Sequence, residues 1–154
     1  MSSSKHEMRI PPIRRDQWTE EVRQTLASFS IPFSRYGLDG DESEKDKLSP
    51  ILSTVLQNPA LASVYFPFAD YILRKSSLEP RHTRMLILRV AWLWRFEIEW
   101  AQHSSIAVRD KLLTEDEVNR ITLGAANESW SDLEILLIIA VDQMHQSSNI
   151  DDET

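Results

Sequence analysis

From Arg81 to Arg109 the chain runs "RHTRMLILRVAWLWRFEIEWAQHSSIAVR" without a glycine or a proline. A breaker-free run of this length reads as helix, either one long one or two joined by a turn around Trp94 to Phe96, because strands of globular proteins are much shorter. Helical spacing from Trp92 picks out Trp92, Phe96, Glu99, His103 and Ile106. That is an apolar stripe interrupted in its middle by a carboxylate and an imidazole.

The flanking segments read the same way. "DQWTEEVRQTLASF" offers Asp16 as N-cap and Trp18, Val22, Leu26 and Phe29 at helical spacing. "LSPILSTVLQ" and "NPALASVYFPFADYILRKS" each place a capping side chain, Ser49 or Asn58, before a proline that opens the helix. Pro67 should kink or split the second of these. Thr114 with Glu117, and Ser131 with Glu134, are capping boxes at the heads of two further helices, the first of which ends at Gly124. No segment alternates as a strand does, so the fold class is all-α, a compact domain of about six or seven helices.

Residues 1–15 are expected to form an irregular arm, disordered at its start, and residues 16–154 a single helical domain. "SIPFSRYGLDGDESEKDKLSP" reads as a solvated loop. Its calcium-loop likeness fails because Glu44 or Asp46 stands where an EF-hand requires glycine. A formal net charge of -7 and a pI near 5.1 argue against nucleic acid or an anionic membrane as partner. The absence of cysteine excludes dithiol redox chemistry and thiolate metal sites. With no apolar leader and no membrane-length apolar run, a cytoplasmic location is the expectation.

Glu99 and His103 stand at i and i+4, where their side chains can meet among Phe96, Trp100 and Ile106. An exposed pair of this kind contributes about 0.5 kcal/mol and little else. In apolar company, the carboxylate can hold the imidazole in one tautomer and raise its basicity, as a general base requires. Arg84 could meet an anionic substrate or a developing enolate, whereas Arg81 and Arg89 are expected to bind helix ends or acidic neighbours. Trp92 is the candidate pocket wall. Trp94, Phe66 and Phe68 read as core, and Asp142 and His145 as helix-surface residues. His82 and His145 show no metal-ligand spacing; Glu99 with His103 could supply two ligands, but no metal or other cofactor is expected.

These segments, in this order, resemble the carboxymuconolactone decarboxylase family, the helical family that also contains the alkylhydroperoxidase AhpD. The likeness runs through "RIPPIRRDQWTEEVR", "NPALASVYFPFADYILRKSSLEPR", "RMLILRVAWL", "EIEWAQH", "LTEDEV" and "WSDLEILLIIAVDQMHQSSNI". In the peroxidase branch the motif is Cys-x-x-Cys-x-x-x-His with a relay Glu in the preceding helix. Aligned on His103, the cysteine positions fall at Phe96 and Glu99 and the relay Glu at Arg84, so dithiol peroxidase activity is not possible here. The chain is similar instead to the non-redox branch, whose "EYEWxxH" it matches at Glu97, Glu99, Trp100 and His103, with Ile98 departing from the aromatic.

The resemblance implies acid/base chemistry, decarboxylation or isomerisation by proton transfer, on a small cyclic acidic or enolisable compound from aromatic catabolism or secondary metabolism. His103 would be the base, Glu99 its orienting partner and Arg84 the anion stabiliser, with Trp92, Phe96, Trp100 and Glu97 around the substrate. Relatives continue into one more helix beyond the "NIDDET" region, so this domain reads as shorter than usual at its C-terminus. The alternative expectation is a catalytically silent helical subunit used for assembly or small-ligand binding. Finally, "LEILLIIAV" is apolar on nearly every side and should be buried on all sides. That predicts a homo-oligomer, dimer or trimer, with an interface including this helix or the one carrying Trp92 and Trp100.

Overall fold

A computed structural model describes residues 9–27, 50–126 and 129–154. Among them are seven α-helices and no strand, as the all-α reading requires. The solvated loop expected over residues 30–50 lies outside the described residues except for Pro50, as do Ser49, Phe29 and the first eight positions. The chain forms two compact units, Met1–Ile72 and Leu73–Thr154. None of the described helices is long and apolar enough to cross a membrane.

In the first unit a short 3-10 turn, Arg15–Gln17, precedes α1, Glu20–Ala27. The cap of α1 is Thr19, whose Oγ1 accepts from Val22 N at 3.3 Å. Asp16, the expected cap, instead pairs with Arg14 at 3.0 Å. Trp18, extended at φ -69 and ψ 120, separates the turn from the helix and moves the start downstream. α2, Pro50–Val55, and α3, Pro59–Arg74, open on their prolines. Asn58 Oδ1 accepts from Leu61 N at 3.1 Å, as a cap should.

α3 does not split at Pro67. The proline removes the amide that would bond the Ser63 carbonyl, but both residues lie on the exposed side, where water can serve that carbonyl. Val22, Leu26, Leu56, Ala62 and Phe66 form the core of this unit, with Ile13 and Trp18 packed against it. The later part of the N-terminal arm is tied down, through Ile13 N to Ser53 O at 3.0 Å and Gln57 Nε2 to Pro11 O at 2.7 Å.

In the second unit the long run resolves into α4, Pro80–Leu93, and α5, Glu97–Arg109. The break is a Schellman turn: Phe96 N bonds Ala91 O at 2.8 Å, and Arg95 takes the left-handed position at φ 56 that usually falls to glycine. α5 ends by the same device, with Lys111 at φ 56 and Leu112 N on Ala107 O at 2.9 Å. A non-glycine residue there costs roughly 1 kcal/mol, which the packing on either side must offset.

α6, Glu115–Ile121, and α7, Asp132–Ser147, start at the two expected capping boxes. α6 stops short of Gly124, which instead opens a 3-10 turn, Gly124–Ala126. Met85, Leu88, Ala107, Leu113, Val118, Ile121, Trp130 and Ile138 make one buried cluster. Fully buried Ala107 presents only a methyl at the α4 side of α5, which permits close packing of the pair.

Two arginines of α4 fasten the later helices. Arg81 donates to Glu134 Oε1 at 2.8 Å, to Glu117 Oε1 at 2.7 Å and to Leu112 O at 3.0 Å. Both glutamates belong to the capping boxes, so one guanidinium joins the heads of α6 and α7. Arg89 grips Asp142 with two bonds, 2.6 and 2.9 Å, and donates to Ile121 O and Thr122 O at the tail of α6. Gly124, at φ 78, lies against this guanidinium: a Cβ there would sit 2.9 Å from Arg89 Nη2. Arg81 and Arg89 therefore bind helix ends and acidic neighbours, as expected, whereas Asp142 is an ion-pair partner and not a plain surface residue.

α7 corrects another expectation. It buries one face, Glu134, Ile138 and Val141, and leaves Leu133, Leu136 and Met144 exposed. The aromatic residues divide similarly: Phe66 is core, but Phe68, Trp92 and Trp94 are exposed. Trp94 lies edge-on to His145, with ring centroids 4.2 Å apart. Beyond α7, Ser148 turns the chain at φ 56, and Gln143 fastens the end by bonding Asp151 at 2.9 Å and Thr154 at 3.1 Å.

Candidate active site

Glu99 and His103 meet within α5, Nε2 to Oε2 at 3.1 Å. The Schellman turn at Arg95 sets this geometry, because it starts α5 at Glu97 and so fixes which face of the helix looks back at α4. Arg84, one turn into α4, reaches the other ring nitrogen: its Nη1 is hydrogen-bonded to His103 Nδ1. Since a guanidinium can only donate, Nδ1 must accept, the ring proton sits on Nε2, and Nε2 donates to Glu99. The three groups form a line of donors, Arg84 to His103 to Glu99, cation to neutral ring to anion.

Electrostatics agree with a neutral ring. The His103 side chain is 9% exposed, and burial, with the Arg84 charge second, depresses its pKa from 6.5 to about 4. The ring is neutral at physiological pH. Burial pushes the Glu99 carboxyl above the usual carboxylate range. With both nitrogens of His103 engaged, Glu99 keeps the open atom: its Oε1 has no hydrogen-bond partner among the described residues.

Glu99 also borders a cavity of about 230 Å³ together with Leu86, Ile87, Val90, Ala91 and Phe96. Phe96, one of the residues expected around a substrate, is on this lining. Trp92 is not on this lining. It packs on Trp100 with centroids 5.5 Å apart, and Trp100 lines a separate hollow of about 590 Å³ with Ser104, Val108 and Asn119. Arg84 touches the imidazole and is not part of either lining, and Glu97 is exposed in the first turn of α5. The aliphatic wall from α4, Leu86, Ile87 and Val90, has no chemical signature in sequence. Its only signal was the helical period, which equally describes core. Among the described residues no group of three His, Asp or Glu side chains could hold a metal ion.

Burial of neutral His103 makes the fold acid-sensitive. Its folded pKa, about 4, lies below the ordinary 6.5, so the unfolded chain binds the proton more readily and stability falls as pH drops from 6.5 toward 4. Glu117, held near 2 chiefly by its bond to Arg81, adds a second loss as pH falls from 4.5 toward 2. The His103 step is worth roughly 3 kcal/mol, and the Glu117 step less, because solvent screens its pairing with Arg81. Melting temperature followed against pH should therefore fall in both windows, and His103→Gln should flatten the upper one alone. An unchanged slope between pH 6.5 and 4 in that variant would refute the assignment.

The fold and site define a helical domain in which one buried imidazole joins a guanidinium to a carboxylate beside an apolar cavity. Comparison with protein-family models gives no match, and comparisons with curated proteins and with solved structures give none either.

Proposed function

We propose that this chain is a non-redox enzyme, similar in chemistry to the carboxymuconolactone decarboxylase family, that moves a proton on a small, neutral, enolisable ring. The observation that carries this reading is the position of Glu99, a carboxylate of raised pKa that belongs to the lining of an apolar cavity and has one oxygen 3.1 Å from His103 Nε2. A general base needs that combination of reach and elevated basicity. Glu99 is then the base and His103 the positioning residue, the reverse of the roles the motif suggests. Arg84 acts through His103 and fixes its tautomer.

Size and charge narrow the substrate. An apolar cavity of about 150 Å³ can hold benzene, so about 230 Å³ accommodates one substituted ring. Among the described residues no cation borders the cavity, and a substrate carboxylate beside Glu99 would be repelled. Double-bond isomerisation is therefore favoured over decarboxylation. A C–H bond next to the carbonyl breaks, its proton passes to Oε1 of Glu99, and its electrons form the enolate. The protonated carboxyl then returns a proton, the one removed or one exchanged with solvent, at another carbon. Self-association, supported by apolar side chains exposed on helix surfaces, belongs to this reading.

The test is nuclear magnetic resonance of unsaturated cyclic ketones and lactones in deuterated water. Enzyme-dependent label at the acidic carbon, strong for neutral rings and weak for their carboxylated analogues, is expected. Label in neither series would end the proposal, and binding without label would favour a silent ligand-binding subunit.

A further inference from the structure

α3 carries an apolar stripe in the open: Leu61, Val64, Tyr65, Phe68, Tyr71 and Ile72 are between 40% and 65% exposed. Single exposed hydrophobic residues need no explanation, but six on adjoining turns of one helix do. Leu61, Tyr65, Phe68 and Ile72 follow one another at the alternating spacings of four and three residues that a second helix can pack against. Their order is aliphatic, aromatic, aromatic, aliphatic. It reads the same in both directions, which is what an antiparallel pairing of identical helices demands, since each residue i meets j and each j meets i.

Charge points to the same helix. The chain carries a net charge of -7, which opposes the approach of two copies, yet α3 holds only Asp70 and Arg74 as charged residues, one of each sign. Area is sufficient too. The six side chains expose on the order of 700 Å² per chain, so two copies would cover about 1,400 Å² between them, within the ~1,200–2,000 Å² of a standard specific interface. The exposed edge of α7 is sparser, three residues spread from Leu133 to Met144.

We infer that a second copy of this chain docks antiparallel on α3, with Leu61 against the partner's Ile72 and Tyr65 against the partner's Phe68. The inference rests on the self-association included in the functional reading and assigns it a surface, α3 in place of α7.

Sedimentation velocity of the full chain at tens of micromolar should give a dimer. Phe68→Glu and Leu61→Glu should each give a monomer with unchanged helical circular dichroism, while Leu136→Glu should remain dimeric. The native chain has no cysteine, so chains carrying Tyr65→Cys can be mixed with chains carrying Phe68→Cys and oxidised. Cross-linked dimers should form far more in the mixture than with either variant alone. A dimer that survives both α3 substitutions and dissolves with Leu136→Glu would overturn the α3 assignment while leaving self-association intact. A native monomer would overturn both, and efficient Tyr65–Tyr65 cross-links between cysteine variants would overturn the antiparallel arrangement.

Discussion

Asp142→Ala is expected to cost about 3–5 kcal/mol of stability, enough to lower the melting temperature by roughly 10 °C or more. The expectation rests on what the substitution leaves behind. Arg89 is 8% exposed, and its charge is balanced by Asp142 alone among the described residues, through two bonds at 2.6 and 2.9 Å. Without the carboxylate, the guanidinium keeps two carbonyl acceptors at the tail of α6 but loses its counter-charge in a nearly dry site. Removing both partners should do less harm than removing one. The double variant Arg89→Met with Asp142→Leu should recover much of the loss, because it buries apolar volume without an orphaned charge. Urea denaturation of the three proteins gives the comparison directly. A loss below about 1 kcal/mol for Asp142→Ala would mean that Arg89 finds another anion or water, and that the α4 to α7 link is held by the apolar cluster instead.

Glu99→Gln should reduce catalysed proton exchange by about 10²- to 10⁴-fold, the range that a positioned base contributes. The amide keeps the volume and can still bond His103, so the fold and ligand binding should change little. His103→Gln separates the two roles. If Glu99 is the base, losing the imidazole should lower the rate less than losing the carboxylate, and should shift the acid limb of the pH profile, which reports Glu99. Rate should rise with pH through the raised Glu99 value, because only the ionised carboxylate accepts a proton. A Glu99→Gln protein that exchanges at the native rate would remove the carboxylate from the chemistry.

Much of the architecture was legible because helices announce themselves at their heads. Thr114 with Glu117 and Ser131 with Glu134 close their capping boxes as their spacing requires. Tails were harder. The ends of α4 and α5 are Schellman turns built on Arg95 and Lys111, residues that carry no left-handed signal, so the sequence left open one long helix or two joined around Trp94 to Phe96, and the hydrogen bonds decide for two. At the site, residue spacing brought Glu99 and His103 together, because i and i+4 lie on one face in any helix. The direction of the proton between them was not legible. It depends on Arg84, which is distant in sequence and reaches Nδ1 only after α4 and α5 fold back on one another. Trp92 shows the complementary limit: helical period places it beside the motif, but the elbow turns it onto Trp100 and away from the cavity.

The donor line also has a closed end. Arg84 has no lone pair to receive a proton, and His103 already carries its own on the nitrogen facing Glu99. A proton taken up by the carboxylate cannot be passed inward, so under the proposed role of Glu99 it can leave only outward, to the bound ring or to water, since a quarter of the side chain is exposed. Exchange and return then compete at one carboxylate: in deuterated water label should enter product, and a deuterium placed on the substrate should be retained in part at its new carbon.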